Sequence, residues 1–170
     1  MTEILETYEK NNIKVEISFD LYPDNPRECE DSNFGTLVCF HSRYRFSDNE
    51  NYTVDKLKKH IEKDTVLSLP VYLYEHGNVA LNTTGFNCPW DSGQVGYIFV
   101  SHDKIIEECG SLDLKKAKEW LKSEISALNQ WAQGDVYFIS VSEGDEMIDC
   151  VGDVYGFEYA QTLAKDWFND

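Results

Sequence analysis

Five side chains of the types that bind soft metal ions stand in three separate segments of the chain. Cys39 and His41 are two residues apart in a segment with strand character, His76 lies at a predicted turn, and Cys88 and Asp91 belong to the short sequence CPWD. Zn²⁺ favours four ligands drawn from thiolate, imidazole and carboxylate, and side chains at i and i+2 of a strand point the same way. The sequence therefore allows a zinc site from some combination of these five residues, provided that the three segments meet.

The same residues allow two other interpretations. Cys39 can be a core thiol, with His41 and His76 as ordinary polar surface groups, because the spacing matches no strong zinc signature. Alternatively, Cys88 can serve a small metal-dependent hydrolase or act as a nucleophile with His76 or His41 as base, since a thiol needs a nearby imidazole to become thiolate at neutral pH. The sequence carries no Gly-rich phosphate loop, GxSxG, HExxH or CxxC, which lowers the expectation of an enzyme.

From Trp90 the sequence reads WDSGQVGYIFVS, which ends at Ser101. Its Asp-Ser-Gly portion predicts a tight turn that precedes a buried strand, with Asp91 accepting backbone hydrogen bonds. Trp90 either packs in this corner or is an exposed anchor at a protein interface, because Trp is enriched in binding hot spots.

The elements that must position these residues follow from periodicity. Alternation of apolar and polar residues predicts strands at 13–20, 36–44, 94–101, 135–141 and 147–151, with a further hairpin within 70–84 that turns at 75–78. Helical spacing predicts helices at 53–63, 113–132 and 158–168, the first with Thr53 as its cap and the long one ended by Gly134.

Strands in hairpin order without βαβ alternation predict an α+β fold, with a mostly antiparallel sheet packed against one long amphipathic helix plus shorter helices. The chain has 170 residues, of which 42% are hydrophobic, so it can bury a real core. We expect a single acidic α+β domain over residues 1–170.

Charge is the most unusual global feature. The chain has 31 acidic and 15 basic residues, a net charge of −16. This field repels phosphate backbones and anionic membranes, so we expect no direct nucleic-acid or membrane binding, whereas approach to a basic protein is accelerated. Solubility alone is the other explanation of this charge.

The acidity is concentrated near the end of the chain. Residues 135–170 contain nine acidic residues against the single Lys165, which is half of the net charge. A cluster in this segment supplies the residues that we expect to contact a basic partner, in addition to Trp90; they are Glu143, Asp145, Glu146, Asp149 and Asp153.

Five cysteines cannot all pair within one chain, and the acidic beginning of the sequence lacks the basic and apolar regions of a signal peptide. Free thiols are typical of a reducing compartment, so we expect a cytoplasmic protein.

Several segments together resemble a known family. They are NPRE (25–28), GTLVCFHSRY (35–44), PVYLYEHGNVALNTTGFNCPWDSGQVGYIFVS (70–101), GDVY (134–137) and YGFEY (155–159). The chain resembles acidic proteins encoded by phages and mobile elements of Gram-positive bacteria, with a CPWDSGQVG-type motif, and is similar to type II anti-CRISPR proteins, which inhibit Cas9.

This resemblance implies a non-catalytic inhibitor that binds Cas9, or another basic host nuclease or defence protein, in the bacterial cytoplasm and blocks the loading of target DNA. It also implies a structural zinc ion held by His41, His76, Cys88 and Asp91 in some combination, with Cys39 as the reserve ligand. The family often has Trp where this chain has Val151, which puts any role of that position in doubt.

Overall fold

The computed structural model describes residues 3–28, 33–48 and 51–168, and within these ranges the chain forms eight strands and four helices. The strands are β1 (Ile4–Lys10), β2 (Ile13–Phe19), β3 (Thr36–Cys39), β4 (Val66–His76), β5 (Asn78–Asn82), β6 (Ser92–Ser101), β7 (Val136–Glu143) and β8 (Glu146–Tyr155). The helices are α1 (Val54–Ile61), α2 (His102–Cys109), α3 (Leu114–Gln133) and α4 (Phe157–Asp166). Backbone contacts divide the chain into two compact units, Met1–Asn25 with Gln130–Asp170, and Pro26–Asn129.

The first unit contains an antiparallel sheet in the order β1-β2-β7-β8, with α4 packed against it. Residues two apart along a strand point to the same face. Ile17 of β2 pairs with Ile139 of β7, and both are fully buried in one core with Ala160 and Ala164 of α4. Complete burial of such an isoleucine side chain contributes about 1.5–3 kcal/mol, so this face holds the unit together.

The second unit contains an antiparallel sheet in the order β3-β6-β4-β5. Leu57 of α1 packs with Val38 and Phe99 in one buried cluster. Leu121 of α3 lies close to Ile98 and to Gly35, where an added Cβ would come within 2.4 Å of the leucine. Gly35 therefore leaves the space that the long helix needs.

Three backbone amides on the edge strands of the second sheet donate hydrogen bonds to side chains outside the sheet. The Leu37 amide donates to the Asp48 carboxylate, and the Cys39 amide donates to the Ser47 hydroxyl. On the other edge, the Leu81 amide donates to the side-chain oxygen of Asn129 in α3. Unpaired edge amides attract other strands, so these hydrogen bonds oppose edge-to-edge association.

Arg27 is the buried cation of the second unit, with a side chain only 4% exposed. Its guanidinium binds both carboxylate oxygens of Asp48, Glu124 Oε2 at 2.9 Å and the Gly35 carbonyl oxygen at 2.8 Å. The Glu124 carboxylate also accepts hydrogen bonds from the amides of Phe34 and Gly35. This network ties α3 to the segments on either side of β3, and it gives the arginine of the NPRE sequence a structural role.

The α+β class and the antiparallel pairing are confirmed. The long helix, the cap at Thr53, the stop at Gly134 and both predicted hairpins are also present. The predicted architecture, one sheet packed against one long helix, is only partly right. The strands form two sheets, and the shorter helices pack on them as well. A single domain over 1–170 stays a prediction.

The strand predicted for 36–44 is too long. β3 ends at Cys39, because the next residues form a turn in which His41 Nδ1 accepts hydrogen bonds from the amides of Arg43 and Tyr44. Periodicity also missed β1 and α2. The caps of α2 are nevertheless visible in the sequence, with Ser101 before the helix and Gly110 after it.

Candidate functional site

The turn between β4 and β5 and the loop before β6 bring three of the predicted metal ligands together. Gly77 has a φ of 76° and lets the chain reverse directly after His76. The Glu75 amide donates to the Asp91 carbonyl oxygen, which fixes the 88–92 loop beside this turn. The sequences EHGN and CPWD are therefore neighbours in space.

Asp91 is the centre of this group. The Cys88 thiol donates to Asp91 Oδ2 at 3.2 Å, and His76 Nδ1 lies 3.5 Å from Asp91 Oδ1. The Ser92 hydroxyl donates to the Cys88 carbonyl oxygen at 2.5 Å and closes the loop into a turn. The turn lies at residues 89–91, earlier than the Asp-Ser-Gly turn that the sequence predicted, because Ser92 and Gly93 already belong to β6. The Asp91 carboxylate, expected to accept backbone hydrogen bonds, faces a thiol and an imidazole.

His41 is held differently. Its Nδ1 faces the two backbone amides of the turn after β3, so the ring proton must lie on Nε2, which is 3.9 Å from Glu75 Oε2. A metal at Nε2 would move that proton to Nδ1 and break both backbone hydrogen bonds. The observed ring orientation therefore disfavours His41 as a ligand or as a general base.

Cys39 also differs from the predicted arrangement. It ends β3 while His41 lies beyond the strand, so the expected shared strand face does not form. Burial, and after it the charge of Asp48, raises the pKa of the Cys39 thiol to about 12. The thiolate that zinc requires is therefore strongly disfavoured at this position.

The remaining three donors fit zinc in type and partly in spacing. Ligand atoms around a tetrahedral zinc ion lie roughly 3.5 Å apart, which is close to the two distances measured from Asp91 to Cys88 and His76. However, within 3–28, 33–48 and 51–168 no three His, Cys, Asp or Glu side chains have the geometry of a metal site. Binding one ion with all three would thus require side-chain rotation, which the exposed His76 allows.

The same geometry bears on the hydrolase interpretation. A catalytic thiol needs a base beside it, but the Cys88 thiol donates its proton toward the Asp91 carboxylate, which in turn faces His76. Cys88 therefore has a carboxylate, and not an imidazole, as its hydrogen-bond partner. This arrangement is therefore poorly suited to a cysteine nucleophile.

Trp90 projects from the same loop with 92% of its surface exposed. It borders an open cleft of about 320 Å³ that is also lined by His41, Leu73, Glu75 and Asp91. Of the two sequence interpretations, the exposed position agrees with the interface anchor and differs from the packed corner. Sequence reasoning missed Glu75 and its ion-pair partner Arg43, because the two residues are 32 positions apart and each looks like an ordinary solvated charge.

The predicted acidic contact residues lie in the other unit, and four of them are at the end of the β7–β8 hairpin. Glu143 and Glu146 pair across the turn, Asp145 lies between them, and Asp149 follows in β8. All four are exposed.

Asp153 is separate from this hairpin end, because it lies seven residues beyond Glu146 near the far end of β8. Its φ of 54° places it at an irregularity of the strand, and its carboxylate accepts a hydrogen bond from the Asp24 amide at 2.7 Å. Its own amide donates to Asp20 Oδ2. Asp153 therefore stabilises a loop, in addition to any contact with a partner.

No helix in the described parts of the chain has both the length and the apolar character needed to cross a membrane. Comparison of the chain with protein-family models, with curated proteins and with solved structures gives no match.

Proposed function

We propose that this protein is a non-catalytic inhibitor that binds a basic protein one to one, with Cas9 as the partner that the sequence resemblance implies. The observation that carries the proposal is the exposure of the outer half of β8. Six consecutive residues, 146–151, are exposed, although a strand of a packed sheet normally buries alternate side chains. Met147, Ile148 and Val151 are apolar, and Met147 is 61% exposed.

This surface combines apolar contact area with negative charge. Glu143, Asp145, Glu146 and Asp149 lie at the same end of the hairpin as these apolar residues, and no basic residue occurs between Asp135 and Lys165. Protein interfaces typically have an apolar centre and a polar rim, and complementary charge accelerates association. Cas9 holds its guide–target duplex in a positively charged channel, so an acidic protein of this kind would compete with DNA for it.

Strand addition is a less suitable mode of binding for this edge. The β7–β8 pairing is interrupted by two irregularities, and the Asp149 carboxylate accepts a hydrogen bond from the Cys150 amide. Bulges and charges on an edge strand oppose pairing with another chain. The side chains of β8, rather than its backbone, would then form the contact.

The test is a titration of the protein into guide-loaded Cas9, with binding and cleavage of target DNA measured together. Inhibition should be complete near equal concentrations and should weaken as salt rises, because the Debye length falls from about 10 Å at 0.1 M to 3 Å at 1 M. Unchanged DNA binding and cleavage at an excess of the protein would refute the proposal. Inhibition at a small fraction of the Cas9 concentration would instead favour the alternative, a metal-dependent hydrolase that turns over.

A charge-matched pair of variants tests the surface itself. The variant Glu143→Gln, Asp145→Asn, Glu146→Gln, Asp149→Asn should bind on the order of tenfold more weakly or worse, since each exposed ion pair contributes about 0.2–1 kcal/mol. The control variant Glu62→Gln, Asp64→Asn, Glu107→Gln, Glu108→Gln removes the same charge from exposed positions in the other unit. Equal loss in both variants would show that net charge, and not this hairpin, determines binding.

The proposed structural zinc ion would be held by His76, Cys88 and Asp91, and it would brace the 88–92 loop against the β4–β5 turn. Zinc content after dialysis should fall in Cys88→Ser and His76→Ala and persist in His41→Ala and Cys39→Ala. Loss of zinc from His41→Ala would contradict the assignment of its ring proton. Absence of zinc from the wild-type protein would remove the metal from the proposal without affecting the binding surface.

A further inference from the structure

Trp90 leaves an almost complete indole in water at the border of the 320 Å³ cleft. Tryptophan is enriched among the residues that contribute most to binding at interfaces, so an exposed indole beside a cleft is suited to anchor a ligand. The apolar side chains of Leu73 and Val95 and the carboxylate of Glu75 line the same cleft. An aromatic face, an aliphatic surface and a negative charge therefore border one opening.

The chain already places a guanidinium group against this carboxylate. Arg43 forms an ion pair with Glu75 Oε1, and the Tyr44 hydroxyl donates to the same oxygen at 3.4 Å. The Arg43 side chain is 71% exposed. Exposed ion pairs of this kind contribute little to stability, so a second guanidinium can displace Arg43 or share the carboxylate with it.

We propose that this cleft binds the side chain of an arginine residue on a basic protein partner. This inference rests on the proposed function and adds the residue type that is recognised. The aliphatic part of the arginine would pack on the half-buried Val95, and its planar head would stack on Trp90 while donating hydrogen bonds to Glu75. Asp91 is not required, because its carboxylate faces Cys88 and His76.

The cleft is large enough to hold one side chain. Sites for small molecules occupy roughly 300–1,000 Å³, and this cleft lies at the lower limit. Lysine fits less well than arginine, because an ammonium group cannot stack as a plane or bind a carboxylate through two parallel hydrogen bonds.

The test is a titration with acetyl-Gly-Arg-Gly-amide, followed by two-dimensional ¹H–¹⁵N NMR. The indole resonance of Trp90, assigned from a Trp90→Phe variant, should shift in a saturable manner, together with the amide resonances of Ser92 and Gly93. The citrulline peptide, which has the same shape without the charge, should give no saturable shift, and the lysine peptide should bind more weakly. No saturable shift with the arginine peptide up to its solubility limit would overturn the proposal.

Two variants should change the affinity in opposite directions. Glu75→Gln should weaken binding of the arginine peptide about tenfold, whereas Arg43→Gln should strengthen it about two- to fivefold because it removes the internal competitor. The controls Glu119→Gln and Lys122→Gln alter an exposed ion pair elsewhere and should leave the affinity unchanged. Equal effects of a variant and its control would show a response to net charge only and would refute the assignment.

Failure of this inference is distinguishable from failure of the proposed function. The peptide titration contains no Cas9, and Cas9 inhibition requires no peptide. If wild-type protein inhibits Cas9 and Trp90→Ala inhibits equally well, the inhibitor proposal stands and the arginine cleft is wrong. If the peptide binds as described while Cas9 is unaffected, the cleft stands and another basic partner must be sought.

Discussion

Replacement of Arg27 by alanine should be among the most destabilising single changes in the second unit. The substitution removes the cation that lies between the carboxylates of Asp48 and Glu124, whose side chains are themselves mostly buried. Breaking a buried ion pair from one side costs about 3–5 kcal/mol, because the remaining charge keeps its desolvation penalty without its partner. Both carboxylates retain hydrogen bonds from backbone amides, so we expect a value near the lower limit, about 3 kcal/mol.

The measurement is urea unfolding followed by circular dichroism, with the free energy taken from the midpoint and the slope. A loss of about 3 kcal/mol corresponds to a decrease in Tm of roughly 6–12 °C for a chain of this size. Arg43→Ala is the matched control, since it removes an exposed arginine–carboxylate pair and should cost less than about 1 kcal/mol.

A second comparison separates charge from shape. Combining Arg27→Met with Asp48→Asn and Glu124→Gln removes all three charges, and it should recover part of the stability that Arg27→Met alone loses. If Arg27→Ala costs no more than Arg43→Ala, or if the triple variant is less stable than Arg27→Met, the network does not hold the unit together through its buried charges.

Three further outcomes follow from individual contacts. Gly96→Ala should cost about 1–3 kcal/mol or more, because a Cβ there would lie 1.9 Å from the Val38 carbonyl oxygen, whereas Gly93→Ala, with no atom within 4 Å, should be nearly neutral in the same urea experiment. Burial, and after it the hydrogen bond to Asp135, raises the pKa of Tyr137 to about 12. The stabilisation that comes from the protonated Tyr137 hydroxyl is therefore complete below pH 10, the ordinary pKa, and is lost between pH 10 and 12. Tyr137→Phe should flatten this part of the profile of unfolding free energy against pH. Alkylation of the native protein near pH 8, followed by mass spectrometry, should label the exposed Cys150 well before Cys39, whose thiol is buried and has a raised pKa, and equal rates would contradict that assignment.

Several parts of the fold could be predicted from local sequence. The period of α3, with its stop at Gly134, and the turns at Gly77 and Gly144 depend on neighbouring residues alone, and each is present. β1 was missed because its sequence, ILETYEK, alternates weakly and becomes a strand by pairing with β2. Its strand structure is thus a tertiary effect, since an isolated segment of this composition has little to bury.

The candidate site, like the fold, was predictable from the sequence only in part. The residue types of CPWD and EHGN singled out these two segments, and the pairing of β4 with β5 and β6 brings them together in space. The departure of His41 and Cys39 was not predictable, because it depends on where β3 ends and on which backbone amides a ring nitrogen meets.

By itself, the sequence determined the sign and concentration of charge, the long helix, the hairpin turns and the residue types available for a site, since these depend on composition and short-range spacing. The tertiary structure decided which side chains meet. It placed Arg27 between Asp48 and Glu124, Arg43 against Glu75, and Trp90 in solvent at the cleft. Such contacts join residues far apart in the chain, and their energies depend on burial and distance, which no local pattern encodes.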